Sequence, residues 1–403
     1  MNCDKIFTLG ISTYDPHRIT ILSGGNNMKK FLAMTLMVVM IVTGLAAAVS
    51  AGSYDGEFQG LTLEKFRYYD ADEVFGAGVS QRGYGASQDG KYLFGGFLAG
   101  TRAVVKFDAK SGDPLGSFNT SDEYPKGITT DDRGNLFVGL LNVDNADYIS
   151  IAALNMDSMT EVARLKVDVG SGKVGVNGIC VSNVDGKYTL YAMVNYDYNR
   201  LYAIDVTDVG NMKIEGFTEL EAITGVAGGE GQYMDADNDG YIYLSAFLNK
   251  GASKGDSILK IDPAAGKVVA SVDCKECYGI SHYGEYVAAS TYNGAESCVY
   301  IFDAETMEEV SQIITADAEH AAFTGVTMYQ NRIVVAEQNF NNQSGFWTVE
   351  GLKLPDEVVV EEVVETPADD AAVSAPQTFD AAVIAAAAAV ISAAGYAVSK
   401  KSR

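Results

Sequence analysis

Basic residues are scarce in this 403-residue chain: 29 lysines and arginines face 53 aspartates and glutamates, a formal net charge of −24. That balance argues against a nucleic-acid partner, because neutralising phosphates requires a basic face. It opposes direct adsorption to anionic lipid for the same reason. Histidine is scarcer still, with only His17, His282 and His320. No His-Glu-x-x-His motif accompanies them, so no metallopeptidase signature stands out. Cysteine is limited to Cys3, Cys180, Cys274, Cys277 and Cys298, too few for a disulfide framework. Cys274-Lys275-Glu276-Cys277 invites a zinc reading, but no second Cys-x-x-Cys exists and His282 is the one nearby imidazole. Proline is rare at 7 residues beside 42 glycines, a ratio that points to many tight turns. What is abundant is apolar and aromatic: 47% hydrophobic residues and 23 tyrosines suit a folded body rather than a disordered acidic chain.

Long apolar runs occur only near the two ends. From Met28 the chain reads MKKFLAMTLMVVMIVTGLAAAVSAGS. Lys29 and Lys30 form a basic start, residues 31–45 an apolar stretch, and Val49-Ser50-Ala51 a small-residue cleavage site. Together they read as a secretory signal peptide over residues 28–51, with a first transmembrane helix as the alternative. Residues 1–27 then precede a complete signal. Gly24 and Gly25 can be encoded by a ribosome-binding sequence, so translation is expected to start at Met28.

The other end reads APQTFDAAVIAAAAAVISAAGYAVSKKSR. Residues 381–398 carry no charge. As a helix they span roughly 27 Å, against a hydrocarbon core of about 30 Å. Only Val383, Ile384, Val390, Ile391 and Val398 favour insertion strongly, which suits a transient stop; Lys400, Lys401 and Arg403 hold the end in the cytoplasm. This tail resembles the cell-wall sorting signals of Gram-positive sortase substrates. Pro376, Thr378 and Asp380 match the Leu-Pro-x-Thr-Gly pattern and its acidic follower, while Ala375 and Phe379 replace the usual Leu and Gly. The resemblance implies a sortase-like transpeptidase as partner and attachment to the cell wall or membrane outside the cell. An uncleaved tail anchor is the alternative. Residues 355–375, rich in Val and Glu, read as an acidic stalk, or, at 357–364, as an extra edge strand.

Between residues 54 and 354 the chain repeats itself. Units such as GITTDDRGNLFVGLL recur around Gly85, Gly127, Gly178, Gly231, Gly279 and Gly325, at intervals of 42 to 53 residues. Each has an apolar strand, a turn of Asp, Gly or Asn, and a second apolar strand. A hairpin follows in which Asp108, Asn155, Asp205, Asp262 or Asp303 ends the first strand and is expected to bond amides beyond it. Four strands per unit, six units and no helical periodicity predict an all-β fold, a six-bladed β-propeller. The last unit is short, and residues 61–69 lack a unit of their own, so the N-terminal strand is expected to close the ring.

Asp235-Ala236-Asp237-Asn238-Asp239-Gly240 places carboxylates at positions 1, 3 and 5 with Gly at 6, as in the first half of an EF-hand loop. Asp235, Asp237 and Asp239 are therefore candidate ligands of a structural Ca²⁺, with a hairpin turn as the alternative. In a propeller the residues just before the innermost strands face the axis; those positions hold Tyr84, Lys126, Asn177, Glu230, Tyr278 and Thr324. His282 sits near an innermost strand and reads as a wall residue. Trp347 and the Tyr196-Asp197-Tyr198 run could form a sugar- or peptide-binding face, or simply pack. The stretch VNGICVSNVDGKYTLYAMV, residues 176–194, resembles the signature of gluconolactonase-like (regucalcin-type) six-bladed propellers. That resemblance implies Asn177 as a central metal ligand and Glu230 as a second. The family's early Glu-Gly-Pro has no equivalent here.

Two functions compete on this reading. One is a surface-anchored extracellular module that binds a protein, peptide or glycan through Lys126, Asn177, Glu230, Tyr278 and Thr324. The other is a metal-dependent lactonase-like hydrolase at the same axis.

Overall fold

The computed structural model describes residues 58–352 apart from 78–79, 142–147, 170–172, 249–255, 293–296, 316–321, 330, 339–342 and 351. The leader, signal segment, stalk and sorting signal, with Pro376, Thr378 and Asp380, lie outside the described residues, as does His320.

Regular structure among the described residues is nearly all β. Strand β1 (Thr62–Tyr69) comes first, followed by β2 (Gln81–Ala86), β3 (Tyr92–Phe97), β4 (Ala103–Asp108) and β5 (Pro114–Asn119). The last four pair antiparallel in sequence order. The same meander recurs in β6 (Tyr124–Thr130), β7 (Asn135–Leu141), β8 (Tyr148–Asn155) and β9 (Thr160–Asp168). It recurs again in β10 (Val174–Val184), β11 (Lys187–Tyr196), β12 (Arg200–Asp205) and β13 (Lys213–Glu219). Next come β14 (Glu230–Ala236), β15 (Ile242–Phe247), β16 (Ser257–Asp262) and β17 (Lys267–Asp273). They are followed by β18 (Cys277–Tyr283), β19 (Tyr286–Thr291), β20 (Cys298–Asp303) and β21 (Glu309–Thr315). The last meander has three strands in sequence, β22 (Ala322–Met328), β23 (Arg332–Gln338) and β24 (Ser344–Glu350). Its fourth strand is β1, antiparallel to β24. A five-residue helix, α1 (Leu220–Thr224), and a 3-10 turn at Val209–Asn211 sit between β12 and β14.

Apolar side chains from each meander pack against the next. Phe94 and Val104 meet Leu136 and Val138; Phe137 and Ile151 meet Val176 and Leu190; Met193 and Leu201 meet Ile242 and Leu244. Tyr243 and Ile258 meet Ile280 and Val287, and Val299 and Ile301 meet Phe323 and Ile333. The succession then returns to its start, where Val334 and Phe346 pack with Leu93, Phe97 and Phe107. Strand pleating explains this: successive side chains point to opposite faces, so a sheet buried on both faces must be apolar on both. β7 and β19 are buried almost throughout, whereas the outermost β13 and β17 alternate exposed and half-buried residues. The architecture is propeller-like, with its core divided among the seams between sheets.

The turns follow the expected chemistry. Asp108 Oδ1 accepts from the amides of Lys110 and Ser111 at 2.9 and 2.8 Å. Asp205 accepts from Thr207, Asp262 from Ala265, Asp303 from Glu305 and Thr306, and Asn155 from Ser158. Trp347 is a core residue, 1% exposed, with Nε1 donating to Glu337 Oε2 at 2.6 Å. Cys274 and Cys277 form a disulfide with Cα atoms 5.8 Å apart, so the zinc reading of that pair is replaced by a covalent link.

Candidate functional site

Every innermost strand carries a register irregularity at the same level. The shifts fall between Gln81 and Gly83, Pro125 and Gly127, Val176 and Gly178, Gly231 and Met234, Cys277 and Ile280, and Phe323 and Gly325. A bulge frees one residue from the ladder and re-aims its side chain. The residues so freed are Arg82, Lys126, Asn177, Gln232 with Tyr233, Tyr278 with Gly279, and Thr324. Small neighbours let the strands approach at this level. A Cβ on Gly178 would lie 2.2 Å from the Gln232 carbonyl oxygen, and one on Gly325 would lie 2.4 Å from Tyr84 Cβ.

Lys126 is the hub. It is 8% exposed, and Nζ donates to Asn177 Oδ1 at 2.9 Å and Gln232 Oε1 at 3.1 Å. Its ammonium lies 5.9 Å from the Tyr233 ring centre and 6.0 Å from that of Tyr278. Burial, and then the Arg82 guanidinium, push the ammonium down to about 7, with Glu230 opposing them. Arg82 lies 5.3 Å over the Tyr292 ring, in the field of the Tyr278, Tyr292 and Tyr233 hydroxyls. Tyr278 stacks on Tyr292 at 4.5 Å and meets Tyr233 edge-on at 4.9 Å. The Tyr233 hydroxyl donates to the Arg82 carbonyl. Tyr196, 40% exposed and at φ +91°, stands in the field of Arg82, Glu230 and Tyr278. This end of the axis is thus a tyrosine-walled mouth with two cations beneath it.

Four of the expected axial residues are therefore in place: Lys126, Asn177, Tyr278 and Thr324. Thr324 is fully buried, with Oγ1 on the Ala336 carbonyl at 3.4 Å. The other two positions shift by two residues. Arg82 takes the place expected for Tyr84, whose ring lies in the seam between the first and last sheets. Gln232 takes the place expected for Glu230, which is exposed at the start of β14. The position that the family resemblance gives to a metal ion holds the Lys126 ammonium.

The opposite end of the axis encloses a cavity of about 260 Å³. It is lined by the inner strands beyond their bulges and by the turns that follow, including Thr130, Asp132, Asn183, Asp235, His282 and Thr327. Asp235 accepts from the His282 amide at 2.8 Å and the Ala236 amide at 2.9 Å. Burial raises its carboxyl, against the pull of the His282 amide. Asp237 Oδ1 accepts from the amides of Asp239 and Tyr241 at 3.0 and 2.8 Å, and its Oδ2 accepts from the Tyr243 hydroxyl at 3.1 Å. Asp237 thus closes its own hairpin turn. Among the described residues no group of three or more His, Cys, Asp or Glu side chains is arranged to hold a metal, so Asp235, Asp237 and Asp239 are not gathered into one cation cluster. His282 stacks on Tyr243 with ring centres 5.2 Å apart, as a wall residue. Gln232, Tyr233 and Tyr292 escaped the sequence analysis, and Arg82 was not among the expected axial residues. Arg82 carried a signal, the cation immediately before a strand glycine, as in Lys126-Gly127.

No protein-family model and no curated protein matches the chain. Among solved structures it is similar to the β-propeller domain of Myceliophteria thermophila Cps50 (Swd1), at 13% identity over 71% of this chain and 99% of that one, TM-score 0.44. It is also similar to a chain of a mitotic checkpoint complex, at 12% identity over 72% and 94%, TM-score 0.46. The RRP9 WD40 repeats match at 10% identity over 72% and 97%, TM-score 0.46. The propeller-like architecture rests on the strand pairing and inter-sheet cores themselves.

Proposed function

We propose that this chain is a surface-anchored binding module: a six-bladed propeller, closed by β1, that takes an extracellular protein, peptide or glycan at its tyrosine-walled mouth. One observation carries the reading. Bulges on all six inner strands free side chains at one level, and those side chains include two cations with no carboxylate hydrogen-bonded to them. A buried cation held only by neutral partners is costly, and a carboxylate on the ligand supplies the missing charge. Arg82 and Lys126 would meet that carboxylate, while Tyr196 and Tyr292 cover the group that bears it.

The hydrolase reading has less support. Asn177 Oδ1, its principal metal ligand, is engaged by Lys126 Nζ, and Glu230 is exposed. The sorting-signal resemblance of the tail, with Pro376, Thr378 and Asp380, supports display outside the cell by a sortase-like partner.

Two measurements test the proposal. Acidic peptides and uronate-bearing glycans should bind the full chain saturably, and Arg82→Gln should abolish that binding while their amide or neutral counterparts bind weakly to either protein. Thr378→Ala should move the protein from the wall fraction to membrane or medium. Equal binding by Arg82→Gln, or unchanged wall attachment, would refute the corresponding half.

A further inference from the structure

The hydrogen bonds around Lys126 suit an amine better than an ammonium. An ammonium group carries three N–H donors; a neutral amine carries two and a lone pair. Among the described residues Lys126 Nζ has two acceptors, Asn177 Oδ1 at 2.9 Å and Gln232 Oε1 at 3.1 Å, both neutral amide oxygens. The rings of Tyr233 and Tyr278 border it at 5.9 and 6.0 Å. Two N–H groups are thus met, and the remaining position on the nitrogen suits a lone pair. Burial and then the Arg82 guanidinium, against Glu230, bring the group to about 7, so the free amine is well populated at neutral pH. A lysine desolvated beside a second cation is the usual setting of an amine nucleophile.

Arg82 supplies the other half of the site. Its Nε is buried without a hydrogen-bond partner. Its guanidinium lies 5.3 Å over the Tyr292 ring, which stacks on Tyr278 at 4.5 Å, so both basic groups border one tyrosine stack. A guanidinium takes a carboxylate. A plain aldehyde would leave Arg82 unmet, and a plain carboxylate would leave the Lys126 lone pair idle. A 2-oxo acid carries a carboxylate and, one bond away, an electrophilic carbonyl carbon.

We propose that Lys126 captures a small 2-oxo acid as an imine, with Arg82 holding the carboxylate. The Nζ lone pair attacks the carbonyl carbon and forms the C–N bond, while the carbonyl π pair moves to oxygen, which takes up a proton. Loss of that oxygen as water completes the C=N bond. The proposal rests on the mouth being the ligand site, as proposed above, and specifies the ligand chemistry there.

The test is reductive trapping. The full chain is incubated with sodium cyanoborohydride and, separately, pyruvate, acetaldehyde or lactate, and the modified lysines are located by peptide mass mapping. Pyruvate should modify Lys126 roughly 10-fold faster than the mean of the other lysines, or more. Arg82→Gln should slow that reaction roughly 10-fold, the worth of one charge-assisted hydrogen bond, and leave the acetaldehyde rate unchanged. Lactate, which has no carbonyl, should leave no adduct. The proposal fails if Lys126 reacts no faster than the other lysines, or if Arg82→Gln leaves the pyruvate rate unchanged. Acidic-peptide binding measured alongside separates the two readings. Peptide binding without an adduct overturns this inference alone; an adduct without peptide binding overturns the peptide reading alone.

Discussion

Lys126 Nζ donates to Asn177 Oδ1 at 2.9 Å, tying the second inner strand to the third with an ammonium group at the level of the six bulges. This contact puts a positive charge where the resemblance to metal-dependent propellers puts a divalent ion. Its energetic signature follows from its depressed pKa.

Folding lowers the Lys126 pKa from 10.5 to about 7. Between those values the unfolded chain binds more protons than the folded one, so stability rises with pH across that window. Below about pH 7 the buried charge is fully present and the cost is greatest. Lys126→Met removes this dependence. The melting temperature of the variant should exceed the parent's at pH 6, and the gap should shrink steadily towards pH 10. Melting curves that run parallel across the series would show that Lys126 is not the titrating group.

Gly178 faces the Gln232 carbonyl at a distance no Cβ tolerates. Gly178→Ala should cost about 1–3 kcal/mol in urea unfolding, because two inner strands must separate. Gly216 has nothing within 4 Å of its would-be Cβ. Gly216→Ala should stay within about 0.5 kcal/mol of the parent. Equal effects from the two substitutions would count against close approach of the inner strands.

Tyr69 on the closing strand is 1% exposed, stacked on Phe107 at 4.9 Å and edge-on to Phe346 at 5.6 Å. Tyr69→Ala should destabilise by about 3–5 kcal/mol, as for other large aromatic-to-alanine changes in a core. Deleting residues 54–69 should lower the melting temperature further, since it strips β1 from one side of β24. A truncated protein that melts with the parent would remove β1 from the ring.

Asp237 gathers two turn amides and the Tyr243 hydroxyl. Asp237→Ala should therefore cost about 1–3 kcal/mol, as when a buried donor loses its acceptor. The loss should be the same in EDTA and in calcium chloride. A melting temperature of the parent that rises with calcium, and a variant that does not respond, would support the cation reading of Asp235, Asp237 and Asp239.

Much of the fold was legible because a fifty-residue repeat with constant internal order leaves few architectures, and because Asp108, Asp205 and Asp303 mark the same turn in each unit. The axial set was legible where the glycine after the bulge is unambiguous, as in Lys126-Gly127, Asn177-Gly178 and Thr324-Gly325. It slipped in the first and fourth units. The first has both Gly83 and Gly85, and the fourth has Tyr233 where a glycine stands elsewhere. A slip of two residues preserves strand alternation, so nothing in the apolar pattern opposes it. The cavity was not legible. Its walls come from residues far apart in sequence, and its depth depends on packing at the seams, which spacing does not encode. The Cys274–Cys277 link was left open because a Cys-x-x-Cys pair serves a metal or a disulfide equally well by sequence.

The pairing of β1 with β24 also sets how the molecule carries a mechanical load. β24 is the last described strand, and it is hydrogen-bonded along both sides, to β23 and to β1. Tension applied at Leu352 therefore pulls along the ladders, and several backbone hydrogen bonds must break together before the strand moves. Were β24 the outermost strand, the same pull could peel it away bond by bond. Flanking β24 with the N-terminal strand gives it the resistance of a shear joint, a property that would serve the tail attachment proposed above.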